Sequence, residues 1–309
     1  MSDAAVAASS GAAENTGFES LFVTAQDGLK LHVRRYGSAA PRRLPIVCLA
    51  GLTRSGADFH ELACAFSTHA EPRLVIAIDT RGRGRSDFDP NPANYSFPME
   101  LNDVLSVLTA LEIGPAVFLG TSRGGLLTML LGAARPAAMA GAILNDIGPV
   151  IDAKGLVRLK GYVGKLPAPK SLSEGAEILR RLGSAQFTAM TAEQWLDQAK
   201  RTWRETDKGL VLDYDPALSA TLASVDIERP LPPLWAQFDS LARVPLMVIH
   251  GANSDLLSAA TVDAIRARRL DIDVLEVPDQ GHAPLLVERD VIARIAAFMT
   301  LCDVSAFGF

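Results

Sequence analysis

The chain has 309 residues, enough for one large α/β domain or two ordinary ones, and 49% of them are hydrophobic, which supports a sizeable core. A formal net charge of −5 leaves no surplus of cations to hold a phosphate backbone or an anionic lipid surface, which argues against nucleic acid as a partner. Cys48, Cys64 and Cys302 are an odd, widely spaced set, read as free thiols of a core in a reducing compartment rather than as a disulfide framework.

Residues 1–17 are small and polar, without the basic start or apolar centre of a secretory signal, so a disordered leader and a cytoplasmic protein are expected. "FESLFVTAQDGLKLHVRRYG" then reads as a β-hairpin turning at Gln26, Asp27 and Gly28. "PIVCLAG", "RLVIAIDTRG", "PAVFLGTS" and "AGAILNDIGP" follow, each an apolar run ending in polar residues or glycine, as strands buried on both faces do. Helical patterns over 57–68, 98–111 and 124–134 separate them. The run 117–134 is broken by Arg123 and several glycines and is no membrane span.

From 148 to 234 the alternation gives way to amphipathic helical stretches such as "SEGAEILRRLG" and "TAEQWLDQAKRTW". A segment this long predicts a helical subdomain inserted into a core of residues 18–147 and 235–309. Two further strands, "VPLMVIHG" and "DIDVLEVP", alternate with helices over 259–270 and 287–301. The whole predicts an α/β fold, a mostly parallel central sheet with helices on both faces and an antiparallel hairpin at one edge.

In an open parallel sheet, ligands meet the carboxyl ends of the strands. There stands Gly120-Thr121-Ser122-Arg123-Gly124, a serine between glycines at a strand-to-helix turn, the arrangement that lifts a nucleophile above a sheet. Serine needs a base, and His282 in "VPDQGHAPLL", on a loop fixed by Pro278, Gly281 and Pro284 after the last strand, is the candidate among five histidines. His32 falls in the hairpin, His60 and His69 in a helical segment, and His250 at a strand end where packing or hydrogen bonding suits it better. The order serine, acid, histidine favours Asp255 in "VIHGANSDLLS" as the carboxylate holding the ring, with Asp146 in "LNDIGP" as the alternative and Asp279 read as a turn former.

An anionic tetrahedral intermediate needs backbone donors, for which the N–H groups of Leu52, after Gly51, and of Arg123 are the candidates. No histidine–carboxylate cluster has metal-ligand spacing, so neither metal nor cofactor is expected. "DTRGRGRSD" lacks the glycine and lysine spacing of a phosphate loop and reads as scaffolding, with an Asp79–Arg81 ion pair.

Taken in order from about Phe18 to Leu301, these stretches resemble the α/β-hydrolase superfamily: "AGLTRSGADF" its oxyanion loop, "DTRGRGRSD" its glycine-arginine loop, "GTSRGG" its nucleophile elbow, "NSD" and "GHAP" its acid and base, and the insertion its helical cap. Ala50 stands where histidine is frequent, and Arg123 replaces a common methionine or glutamine. The resemblance implies a serine hydrolase acting on a small-molecule carboxylic ester through an acyl-enzyme. Carbon–carbon bond hydrolases of dienoic acids and enol-lactonases use the same residues, and a non-catalytic ligand-binding relative is the remaining alternative. The aspartate elbow of haloalkane dehalogenases and epoxide hydrolases is excluded by Ser122. Trp195, Trp203 and Tyr214 in the insertion and Trp235 at its end are candidates to contact substrate, and Arg54 and Arg123 to hold a substrate carboxylate.

Overall fold

The computed structural model describes residues 6–8, 17–68, 72–223, 225–226 and 231–308. The strands are β1 (Val6–Ala8), β2 (Glu19–Thr24), β3 (Lys30–Tyr36), β4 (Ile46–Leu49), β5 (Val75–Ile78), β6 (Ala116–Thr121), β7 (Met139–Asn145), β8 (Trp203–Thr206), β9 (Gly209–Leu212), β10 (Leu246–Gly251) and β11 (Asp273–Val277). The helices are α1 (His60–Thr68), α2 (Phe97–Ala110), α3 (Arg123–Ala134), α4 (Ala153–Tyr162), α5 (Leu172–Gly183), α6 (Ala192–Thr202), α7 (Ala220–Ala223), α8 (Trp235–Asp239), α9 (Ala259–Arg268) and α10 (Arg289–Phe307).

Nine strands form one sheet in the order β1-β2-β3-β5-β4-β6-β7-β10-β11. From β5 to β11 all neighbours run parallel, and β1, β2 and β3 form the antiparallel edge. Side-chain alternation splits each central strand between two cores. Val47, Leu49 and Phe118 face α2, α3 and α9 through Val107, Leu127 and Ile265, while Ile46, Cys48 and Leu119 face α1 and α10 through Phe66 and Phe298. Cys48 and Cys302 are buried free thiols in this second core, where they pack as small apolar groups.

Of the expected leader, Val6–Ala8 pairs antiparallel with β2, and residues 1–5 and 9–16 lie outside the described residues, as does His69. The segment after β7 carries helices, as its amphipathic pattern predicts, but also the antiparallel hairpin β8–β9, which that pattern did not indicate. Helix α8 packs beside α3 rather than with α4–α6: a Cβ added to Gly132 of α3 would stand 2.7 Å from Leu241, just past α8. Among the described residues no helix is long and apolar enough to cross a membrane.

Candidate active site

Ser122 caps α3 with φ 52° and ψ −115°, a conformation L-residues avoid at a cost of about 1–3 kcal/mol unless the surroundings enforce it. The flanking glycines enforce it by close approach. A Cβ on Gly124 would stand 2.0 Å from the carbonyl oxygen of Leu49, and one on Gly120 would stand 2.4 Å from that of Gly124. The Ser122 N–H donates to Asn145 O (3.1 Å), tying the turn to the end of β7.

His282 Nδ1 donates to Asp146 Oδ2 at 2.8 Å, because a carboxylate only accepts, and this leaves Nε2 as the ring nitrogen facing the Ser122 hydroxyl, 2.8 Å away. Asp146, itself at φ 54°, is buried and holds three donors: His282, the Gly251 N–H on Oδ1 (2.9 Å) and the Ser254 hydroxyl on Oδ2 (2.6 Å). The sequence order favoured Asp255 for this contact, and the structure corrects that. Asp255 is taken by Arg158 of α4 in a bidentate pair (2.7 and 2.9 Å). Burial pushes the Asp255 carboxyl up, but the Arg158 hydrogen bond and charge outweigh it and hold the pKa below the usual range. Asp279 accepts from the Thr188 hydroxyl (2.8 Å) and adopts φ 59°, in keeping with a turn residue.

Asn145 and Ser254 are the residues that sequence reasoning missed. Asn145 is fully buried, its backbone oxygen receives the Ser122 N–H, its Nδ2 donates to Thr121 Oγ1 (3.1 Å) and to Pro284 O (3.0 Å), and Asp146 follows it directly. One residue, through its side chain and its backbone carbonyl, thus ties together the serine turn and the histidine loop beside the aspartate. An asparagine between an apolar run and an aspartate was the only signal available.

Ser122 and His282 open on a cavity of about 210 Å³ whose walls come from the β4–α1 loop, the His282 loop and helices α4, α5 and α6. Leu52 lines it, and a Cβ on the adjacent Gly51 would lie 3.7 Å from Ser122 Cβ, so this loop passes close over the serine. Arg123 is the first residue of α3, where a backbone N–H has no intrahelical acceptor. Its side chain turns away from the cavity, donating to Glu100 Oε2 (2.7 Å) and lying 4.1 Å above the Phe97 ring, which removes it as a substrate-carboxylate partner.

Of the aromatic candidates, Trp195 and Tyr214 line the cavity. Trp203 does not: it is buried in a separate cluster with Ala199 and Leu210. Nor does Trp235, which packs edge-on against Phe238 with the Arg268 guanidinium 5.1 Å above its ring. Arg54 lines the cavity, bound to Asp58 through Nε (2.7 Å) and Nη2 (2.6 Å).

The expected Asp79–Arg81 pair is also absent among the described residues, because each has better partners. Asp79 takes the His32 ring (2.7 Å) and the Gly56 N–H (2.7 Å), while Arg81 fills its fork with Asp103 (2.6 Å twice), Asp89 (2.6 Å) and Asp27 (2.9 Å). His250 is buried, with Nε2 bonded to Leu257 O (3.1 Å) and Nδ1 3.5 Å from Glu276 Oε2, so it packs and hydrogen-bonds away from the serine. Among the described residues no group of histidine, cysteine and acidic side chains is placed to hold a metal ion.

Fold and comparison agree on the class of protein. Residues 46–295 match the alpha/beta hydrolase family, so the chain belongs to that family and is a hydrolase. It is 32% identical over 278 residues to the 3-hydroxybutyrate-oligomer hydrolase of Cupriavidus necator, covering 88% of this chain and 93% of that one. It is 24% identical over 217 residues to a 3-oxoadipate enol-lactonase of Acinetobacter baylyi, covering 67% and 71%. Among solved structures, an alpha/beta hydrolase from Novosphingobium aromaticivorans superposes with a TM-score of 0.83 at 37% identity over 92% of this chain and 98% of that one.

Proposed function

We propose that the chain hydrolyses small to medium carboxylic esters through an acyl-enzyme on Ser122. The observation that carries this reading is the continuous chain Asp146–His282–Ser122, with both links at 2.8 Å, opening on one cavity. His282 takes the serine proton as the hydroxyl attacks the ester carbonyl, and Asp146 fixes the ring's tautomer and stabilises the imidazolium. The backbone N–H groups of Leu52 and Arg123 would hold the oxyanion. His282 then protonates the departing alcohol, and in the second half-reaction it deprotonates the water that releases the acid.

The inserted helices α4–α6 act in this reading as a cap that excludes water and limits substrate size, supported by the walls they give the cavity. Lactone opening requires the same steps, and likeness to an enol-lactonase supports it as the second reading. Turnover of esters, lactones and dienoic acids by one sample, with fluorophosphonate labelling of Ser122, tests the proposal. Ester turnover with rapid labelling is the expected result. Slow, single-turnover labelling without hydrolysis would instead mark a ligand-binding relative.

A further inference from the structure

Three arginines line the cavity that contains Ser122: Arg54, Arg158 and Arg201. In a pocket for an acid-bearing substrate, one of them would be left to bind the substrate carboxylate. None is. Arg54 grips Asp58 (2.6 and 2.7 Å), Arg158 grips Asp255 (2.7 and 2.9 Å), and Arg201 donates to Glu61. Two of the pairs are partly shielded from water, with side chains 21% and 25% exposed for Arg54–Asp58 and 26% and 10% for Arg158–Asp255, while in the third Arg201 is 13% and Glu61 39% exposed. Burial disfavours the Arg54 cation, yet the adjacent Asp58 more than offsets it and raises its pKa. The other acidic and basic side chains at the cavity are Asp58, which holds Arg54, and His282, whose Nδ1 donates to Asp146.

We infer that the cavity selects uncharged esters and rejects those carrying a carboxylate, because every guanidinium facing it is already neutralised by an acidic side chain. This rests on the ester-hydrolase reading above. A substrate carboxylate seated on any of these arginines would compete with the acidic side chain that already holds it, and would leave water without gaining an unpaired cation. The remaining wall favours hydrocarbon: Leu159, Val163, Leu179, Phe187 and Met190 lie around the same space. The specificity residues are therefore Asp58, Asp255 and Glu61, which act on substrate through the arginines they occupy.

The test compares p-nitrophenyl pentanoate with mono-p-nitrophenyl glutarate, which differ in ending in a methyl or a carboxylate. At pH 8 the full-length enzyme should show kcat/KM at least about 10-fold higher for the pentanoate. Asp58→Asn, which removes the negative charge that neutralises Arg54 while leaving its neutral partners Gln198 and Thr202, should narrow that ratio by about 5-fold or more, and Glu61→Gln provides the same test through Arg201 should the first variant fail to fold. Equal or faster cleavage of the glutarate ester by the wild type would overturn the inference, as would an unchanged ratio in the folded variants. Pentanoate turnover surviving in Ser122→Ala would sink the ester-hydrolase reading alone. If neither ester turns over, Ser122 labelling by fluorophosphonates ending in methyl or carboxylate reads the same charge preference, with equal rates counting against it.

Discussion

Asp146 and Asp255 follow the neighbouring strands β7 and β10 of the same sheet, yet only Asp146 is hydrogen-bonded to the His282 ring, at 2.8 Å, while Asp255 is held by Arg158. Asp146→Asn should therefore cost about 10⁴-fold in kcat by leaving the ring in the wrong tautomer. Asp255→Asn should cost much less and should lower stability through the loss of its partly buried ion pair with Arg158. Steady-state kinetics on both folded variants decide the matter. A larger loss in Asp255→Asn would return the role to Asp255.

Asn145→Ala removes the two donations that tie Thr121 and Pro284 together. A buried hydrogen-bonding group lost in this way costs about 1–3 kcal/mol of stability. Because those bonds set the spacing of Ser122 and His282, kcat and the rate of fluorophosphonate labelling should fall together by about 10- to 100-fold, with KM little changed. A lower Tm with unaltered labelling would show that Asn145 supports the fold only.

Trp195 and Trp203 are both buried, but only Trp195 borders the cavity. Trp195→Ala should shift the kcat/KM ranking among esters of increasing acyl length. Trp203→Ala should leave that ranking intact and lower stability by about 3–5 kcal/mol, the range for a truncated buried aromatic. Kinetics across an ester series together with thermal unfolding separates the two outcomes, and a ranking moved equally by both variants would contradict the cavity assignment.

Asp213 follows β9 and docks the β8–β9 hairpin, its carbonyl accepting the Gly84 N–H at 2.8 Å. Burial, followed by the negative charge of Asp79, pushes its carboxyl up to about 6. The folded state therefore binds a proton that the unfolded chain releases near pH 4, and stability falls as pH rises from about 4 to about 6. Asp213→Asn removes that penalty and should raise Tm more at pH 8 than at pH 4. Equal shifts at both values would exclude the proposed titration.

The main sheet was legible because each central strand is an unbroken apolar run and each following helix has a recognisable start. The β8–β9 hairpin was not, since Arg204, Glu205, Asp207 and Lys208 hide a strand pair in which only β9 is apolar. At the site, glycine spacing located Ser122, and the proline-glycine loop located His282. The choice between Asp146 and Asp255 was beyond the sequence. Both follow buried strands, and the deciding groups are a turn at φ 54°, the donors Gly251 and Ser254, and an arginine 97 residues before Asp255. Arg54 likewise looked free to bind substrate, because its saturation by Gln198 and Thr202 depends on a distant helix folding over it.

The central claim is that Ser122 carries the acyl group during turnover, and intact-protein and peptide mass spectrometry of enzyme quenched within milliseconds of mixing with an activated ester tests it most directly. The predicted result is an acyl adduct on the peptide containing Ser122, formed no more slowly than kcat and absent from a folded Ser122→Ala variant that no longer turns over. Turnover without an adduct on Ser122, or persisting near the wild-type rate in Ser122→Ala, would contradict it.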